Sequence, residues 1–475
     1  MEHSPIDSAL ILTTARVFDR PGERPPVSPL MVVGGLSLLQ RTILTLQRGG
    51  ITRCVVLGGA ETEAMRRQLQ DDQRVRMDVR WLPVREFPPQ DPRTWEVLSG
   101  MLGAAYLVAG TNAVFPASLV TRVREAGGKG EPVVVVRDSV VDERHSSLSE
   151  QVLAVEGSPP PIPPPSRGRV REGGEGGVVT VEETAALALD VDLVAIPEGF
   201  TSQGASSSWT HPQDGPNPLQ TALERGLRQG QVKILPLEAD WYHEVRSGTD
   251  DEVAAAEWTL LRSLKGGLEG FVDRHFNRAC SKWITLGLLR TPITPNGVTI
   301  LATAVGLLAA TAFAVGGYAA GLAGALLFQL SAVLDCCDGE VARLKFMESP
   351  LGERLDVLLD NVVHVALYAG MAWAAYHAGW GALAVLLGGL ATVGNVAAFV
   401  VVQQAIRMKA DLAPTRRRRV EAILHRLASR DFSVLILALA LIGHVEWFLL
   451  LAAVGSNVFW PALAWQLRAP IADRK

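Results

Sequence analysis

Hydrophobic and polar positions change their period once along this chain, and the change divides it. Up to about residue 250, short apolar runs alternate with stretches of helical period. ALILTT at 9–14 and VVLGG at 55–59 read as strands, with further strands at 78–82, 105–109 (AYLVA) and 132–136 (PVVVV). Between the first two, PLMVVGGLSLLQRTILTLQRGGI reads as a turn followed by an amphipathic helix. Strands alternating with helices predict a parallel α/β sheet. Two stretches rich in Pro, Gly and Ser interrupt the pattern, at 157–177 and 201–218, and both are expected to be flexible insertions.

After about residue 290 the apolar runs lengthen to those of membrane helices. Six spans are predicted, at 296–315, 319–344, 353–377, 380–405, 432–443 and 446–466. All but the short fifth approach the ~20 residues needed to cross hydrocarbon. The expected organisation is a soluble α/β unit at 1–250, a linker at 251–292 and an all-α membrane unit at 293–468. Within the linker, Leu268, Val272, Phe276, Ala279 and Trp283 recur at helical spacing, with Arg274, Arg278 and Lys282 elsewhere on the helix. A basic amphipathic helix before a first span is expected to lie in the membrane interface. Docking on the soluble unit is the alternative.

Composition agrees with two or more domains: 475 residues exceed one ordinary core. A net charge of −4 and a pI of about 6.2 give no reason to expect nucleic acid as a partner. The mean hydropathy of +0.20 is high for a soluble protein. Four cysteines without zinc spacing, Cys54, Cys280, Cys336 and Cys337, are expected to be reduced thiols. The N-terminus MEHSPIDSALILTTAR lacks the basic and apolar regions of a signal peptide.

Charge placement gives orientation. The loop from Arg407 to Arg430, including Arg416 to Arg419, is strongly basic, whereas the loops at 316–318 and 378–380 carry no Lys or Arg. The positive-inside rule then places the basic loop, both termini and the inner ends of spans two and three in the cytoplasm. Arg430, at the start of span five, is a candidate contact for a substrate phosphate.

The candidate chemistry lies between spans two and three, where 334–361 reads LDCCDGEVARLKFMESPLGERLDVLLDN. Asp335 and Asp338 stand three apart, Asp356 and Asp360 four apart, so each pair shares a helix face. Carboxylates in such apolar sequence usually mark function. Two pairs joined by a turn around Pro350 and Gly352 suit an oxygen-ligand cage for Mg²⁺ or Mn²⁺. Gly339, Ala342 and Gly352 leave room between the helices, and Arg343 can pair a phosphate. His364, one turn beyond Asp360, reads as a packing histidine.

Written by spacing, the stretch is Asp335-x₂-Asp338-Gly339-x₂-Ala342-Arg343-x₈-Gly352-x₃-Asp356-x₃-Asp360. It resembles, at every position, the signature of the CDP-alcohol phosphotransferase family, over about 290–468. Pro295-Asn296 also resembles the start of the family's first span. The resemblance implies that Asp335, Asp338 and Asp356 bind metal and that Asp360 is the general base and a further metal contact. It also implies nucleotide binding by Gly339, Ala342, Arg343, Gly352 and Asn296, a CDP-alcohol donor, an alcohol or phosphoalcohol acceptor, a lipid bilayer around the spans, and a homodimer.

The soluble half resembles the sugar-nucleotide type of nucleotidyltransferase, most closely at PLMVVGGLSLLQRTILTLQRGGITRCVVLGG. Several parts of that family's site are missing. Ala15, Arg16, Val17 and Phe18 stand where its Gly-rich loop begins, and Ser28-Pro29 where it has Lys-Pro. Its two metal-binding aspartates would fall at Gly110-Thr111-Asn112 and Glu244-Val245-Arg246. A phosphate cradle needs glycine and triphosphate chemistry needs carboxylate-held metal, so a non-catalytic unit with Arg16 on its surface is expected. The domain order resembles fused inositol-1-phosphate cytidylyltransferase/di-myo-inositol phosphate phosphate synthases, which keeps open a bifunctional enzyme making and using CDP-inositol. A cation transporter is the reading from another class, since transport paths also use intramembrane carboxylates.

Overall fold

The computed structural model describes residues 6–18, 26–103, 105–128, 130–136, 191, 193–197, 200, 217–237, 240–264, 276–408 and 432–468. The segments 157–177 and 201–216, Leu268, Val272, Arg274 and the basic loop with Arg430 lie outside them. The chain divides into two units, 1–259 and 260–475.

In the first unit the strands are β1 (Ser8–Leu12), β2 (Val32–Val33), β3 (Leu36–Ser37), β4 (Arg53–Gly58), β5 (Asp78–Pro83), β6 (Ala105–Gly110), β7 (Ala113–Val114), β8 (Val133–Val136), β9 (Leu193–Pro197), β10 (Lys233–Pro236) and β11 (His243–Glu244). Seven of them form one sheet in the order β10-β8-β9-β6-β1-β4-β5. Every residue of β1 and β8 is buried, as apolar runs covered on both faces must be. The expected parallel sheet is corrected in one respect: β9 runs antiparallel to both β6 and β8. No strand is predicted at LVAIP from the sequence, and an apolar pentapeptide carries no mark of strand direction.

The stretch VVGGLS folds as a two-residue hairpin, with Gly34 at φ 60° and Gly35 at φ 78°. Positive φ at both positions selects the type I′ turn that fits strand twist. The following helix, Leu38–Arg48, starts at Ser37, whose hydroxyl accepts from the Gln40 backbone N–H while the Gln40 side chain accepts from the Ser37 N–H. Buried Arg41 donates to the Val33 and Gly34 carbonyls at 2.9 and 3.1 Å. Glu257 accepts from the Gly34 N–H at 3.1 Å. Burial pulls the Arg41 guanidinium down to about 10, against the opposing pull of Glu257.

In the second unit, five helices among the described residues are long and apolar enough to cross a membrane: Pro295–Val315, Tyr318–Leu344, Pro350–Trp380, Ala382–Met408 and Trp447–Leu467. They correspond to predicted spans one to four and six. The fifth is corrected: its described helix, Phe432–Leu441, has ten residues, which at about 1.5 Å per residue does not reach across the hydrocarbon. Spans one and three pack closely through small residues. A Cβ at Gly370 would collide with the Ala310 carbonyl oxygen, and one at Gly306 with the Val363 side chain.

The linker carries the helix Arg278–Leu289. Of its predicted apolar stripe, Phe276 at 49% and Trp283 at 69% are exposed. The opposite stripe, Ser281, Thr285 and Leu289, is buried against span two, a polar contact that hydrophobic periodicity does not reveal.

All four cysteines are free thiols. Burial pushes the Cys54 thiol up to about 12, with the Asp78 carboxylate adding to it. Thiolate is therefore scarce below that value. Native protein treated with iodoacetamide at pH 8 should leave Cys54 unmodified in peptide mass mapping, and denatured protein should alkylate it fully.

Candidate active site

Two local signals aim the helices at one place. Thr294 caps span one, its hydroxyl accepting from the Gly297 N–H at 3.2 Å, with Pro295 in the first turn. Ser349 caps span three in the same way, accepting from the Gly352 N–H at 3.0 Å, with Pro350 following. Both are start signals that also leave helix N-terminal amides directed outward. The two N-termini line one cavity of about 570 Å³, together with the C-terminal end of span two.

Asp335 and Asp338 come from span two and Asp356 from span three. Each offers a carboxylate oxygen, and these oxygens lie within 4.8 Å of one another. Asp338 is 7% exposed and accepts a 2.6 Å hydrogen bond from the Thr299 hydroxyl of span one. Asp356 Oδ1 is buried with no hydrogen-bond partner. Three repelling carboxylates, one with an orphaned oxygen, form a set of donors that a cation could satisfy. The donors are all oxygen, so the site fits a hard divalent ion.

The other predicted residues distribute as follows. Gly339, Ala342, Arg343, Gly352 and Asn296 all line the cavity with Asp338 and Asp356. A Cβ at Gly352 would stand 3.0 Å from both Asn296 Oδ1 and Ser349 Oγ, so glycine there lets the two helix starts meet. Asp360 is not one of the three clustered carboxylates. It lies one turn deeper, lining a small pocket with Asp335, His364 and Ser433. His364 packs edge-on against Phe328 and Phe432, at 6.4 and 5.3 Å between ring centres, the packing role expected of it. Sequence reading missed Thr299, whose signal was a lone hydroxyl four residues beyond Pro295.

Residues 292–459 match the CDP-alcohol phosphatidyltransferase family. Those residues form a CDP-alcohol phosphatidyltransferase domain. The protein is thus a transferase. A Rubrobacter xylanophilus protein named bifunctional IPC transferase and DIPP synthase is 29% identical over 355 residues, covering 72% of each chain. The second unit is less than half of this chain, so that match extends into the first. Among solved structures, the Mycobacterium tuberculosis phosphatidylinositol phosphate synthase with CDP-DAG bound has a TM-score of 0.29 and 22% identity, covering 42% of this chain and 98% of that one. The inositol-1-phosphate CTP transferase from T. maritima has a TM-score of 0.35 and 12% identity, covering 56% and 100%.

In the first unit, the positions where nucleotidyltransferases would carry aspartates hold an ion-pair cluster. The β7–β11 ribbon sets Glu244 beside Asn112. Glu244 Oε1 accepts from Asn112 Nδ2 at 3.1 Å and pairs with Arg16 Nε at 3.1 Å, while Oε2 pairs with Arg246 Nε at 2.9 Å. Arg16 is 4% exposed, which corrects the expected surface position.

Removing the hydroxyl that aims Asp338, with Thr299→Val, should weaken Mn²⁺ binding by about 10-fold, in the range set by outer-sphere ligand partners. Titration of the substrate-free protein followed by electron paramagnetic resonance of unbound Mn²⁺ checks it.

Proposed function

We propose that the CDP-alcohol phosphatidyltransferase domain transfers a phosphoalcohol group from a CDP-alcohol to a hydroxyl acceptor, releasing CMP. The observation that carries this reading is the single cavity joining two helix N-termini and Arg343 to Asp338 and Asp356. The helix amides and the guanidinium favour the pyrophosphate. Asp335, Asp338 and Asp356 would hold Mg²⁺ or Mn²⁺, which when bound neutralises pyrophosphate charge and steadies the departing phosphate. Asn296, Gly339, Ala342 and Gly352 shape the nucleotide's seat between the helices.

Asp360 is assigned as general base. The acceptor oxygen forms a bond to the phosphorus bearing the donor alcohol, and the P–O bond to the bridging oxygen breaks. CMP leaves with that oxygen and its electron pair, and the acceptor proton passes to the Asp360 carboxylate. The acceptor is an alcohol or phosphoalcohol of lipid or inositol-phosphate type. We place the site on the cytoplasmic face of the cell membrane from the basic Arg407–Arg430 loop, with Arg430 near an acceptor or donor phosphate, and read the protein as a homodimer by family resemblance.

A second reading adds CDP-inositol synthesis by the first unit, favoured by the match that extends into it. The Arg16–Glu244–Arg246 cluster speaks against it, because Glu244 already pairs with both arginines that would meet a triphosphate.

Asp360→Asn should cut turnover by about 10²–10⁴-fold while binding of the CDP-alcohol, followed calorimetrically, persists. Undiminished CMP release would remove Asp360 from the base role. Labelled CTP and inositol phosphate incubated with the pure protein should yield no CDP-inositol; its appearance would establish the second activity. Mg²⁺-dependent CMP release also separates this enzyme from a cation transporter, which would carry ions without it.

A further inference from the structure

Span two is polar on two sides. Asp335 and Asp338 face the cavity side, while Glu340, two residues on, lies about 200° around the helix from Asp338 at 3.6 residues per turn. Glu340 is 1% exposed. It accepts hydrogen bonds from the Ser281 hydroxyl at 2.9 Å and the Thr285 hydroxyl at 2.7 Å, both from the linker helix Arg278–Leu289 and both fully buried. Ser281 and Thr285 are four apart, so one helix face delivers both donors.

The same linker segment holds span two at two further levels. Gln329 Nε2 donates to Asn277 Oδ1 at 2.6 Å, and Lys345 Nζ donates to the Thr291 and Ile293 carbonyls at 2.8 and 3.2 Å. Of these, the Glu340 contact stands closest in sequence to Asp338. In a membrane, apolar faces of a helix are nearly interchangeable, because lipid and neighbouring helix are equally apolar. A buried carboxylate is not interchangeable. Turning span two by one residue would carry Glu340 away from both hydroxyls and swing Asp335 and Asp338 away from Asp356.

We propose that Glu340 is a positioning residue: clamped by Ser281 and Thr285, it fixes the rotation of span two and so the separation of Asp335 and Asp338 from Asp356. The inference rests on the reading of those three aspartates as the cation site. The linker helix is then part of the active-site scaffold as well as a connector.

The test uses the full chain in detergent, with Mn²⁺ alone as the probe and unbound Mn²⁺ followed by electron paramagnetic resonance. Glu340→Ala, and separately Ser281→Ala combined with Thr285→Val, should each raise the Mn²⁺ dissociation constant by about 10-fold. Glu340→Gln, which keeps an acceptor oxygen of the same reach, should restore wild-type binding. Gln329→Leu removes a linker contact more than two turns away and should leave Mn²⁺ affinity unchanged. Wild-type affinity in both the Glu340→Ala and the double variant would overturn the proposal. So would an equal loss in Gln329→Leu, which would mean that any loosening of the linker has the same effect. The double variant decides the matter if Glu340→Ala does not fold. Wild-type protein that binds no Mn²⁺ would instead overturn the cation site, and this inference with it.

Discussion

The second unit depends on holding three carboxylates within 4.8 Å of one another at the ends of apolar helices. Left alone, such groups repel and seek water. Helix packing must therefore hold them together. Spans one and three approach closely through Gly306 and Gly370, where no side chain would fit. Thr299 supplies Asp338 with a donor from span one. Each of the first three spans thus contributes to a site that none could form alone.

Next to this negative cluster lies its electrical opposite. The capped starts of spans one and three present helix N-termini to the same cavity that Arg343 enters from span two. Helix dipoles and unpaired first-turn amides favour anions. A phosphate at the boundary between the two regions would meet donors on one side and a carboxylate-held cation on the other. That division suits a pyrophosphate whose two halves part company, one half held and the other released.

The aspartates were legible because carboxylates at fixed offsets are rare in apolar sequence. The order of elements was legible because period two and period 3.6 are written residue by residue. What escaped depends on pairs far apart in the chain. Thr299 meets Asp338 across 39 positions, and Ser281 meets Glu340 across 59. Nothing in LDCCDGEVAR tells Glu340 from a solvated glutamate until the linker helix is laid against it. Likewise the strand at LVAIP goes unpredicted, and Arg16 reads as a surface residue until Glu244 is brought to it. The short fifth span reflects a different limit, since hydropathy marks apolar residues but not where a helix stops.

The first unit gives the comparison that weighs on its role. A triphosphate cradle needs cationic or amide donors available to the ligand and carboxylates available to a metal. Here Glu244 spends both of its oxygens on Arg16, Arg246 and Asn112. A phosphate reaching Arg16 would have to displace a partner whose side chain is 8% exposed, and breaking a buried pair costs about 3–5 kcal/mol. Glu244 is thus held by three partners, whereas Asp356 Oδ1 in the second unit is buried with no hydrogen-bond partner. A buried oxygen without a donor marks a place that can receive one, and this oxygen belongs to a residue lining the cavity shared by Arg343 and two helix N-termini.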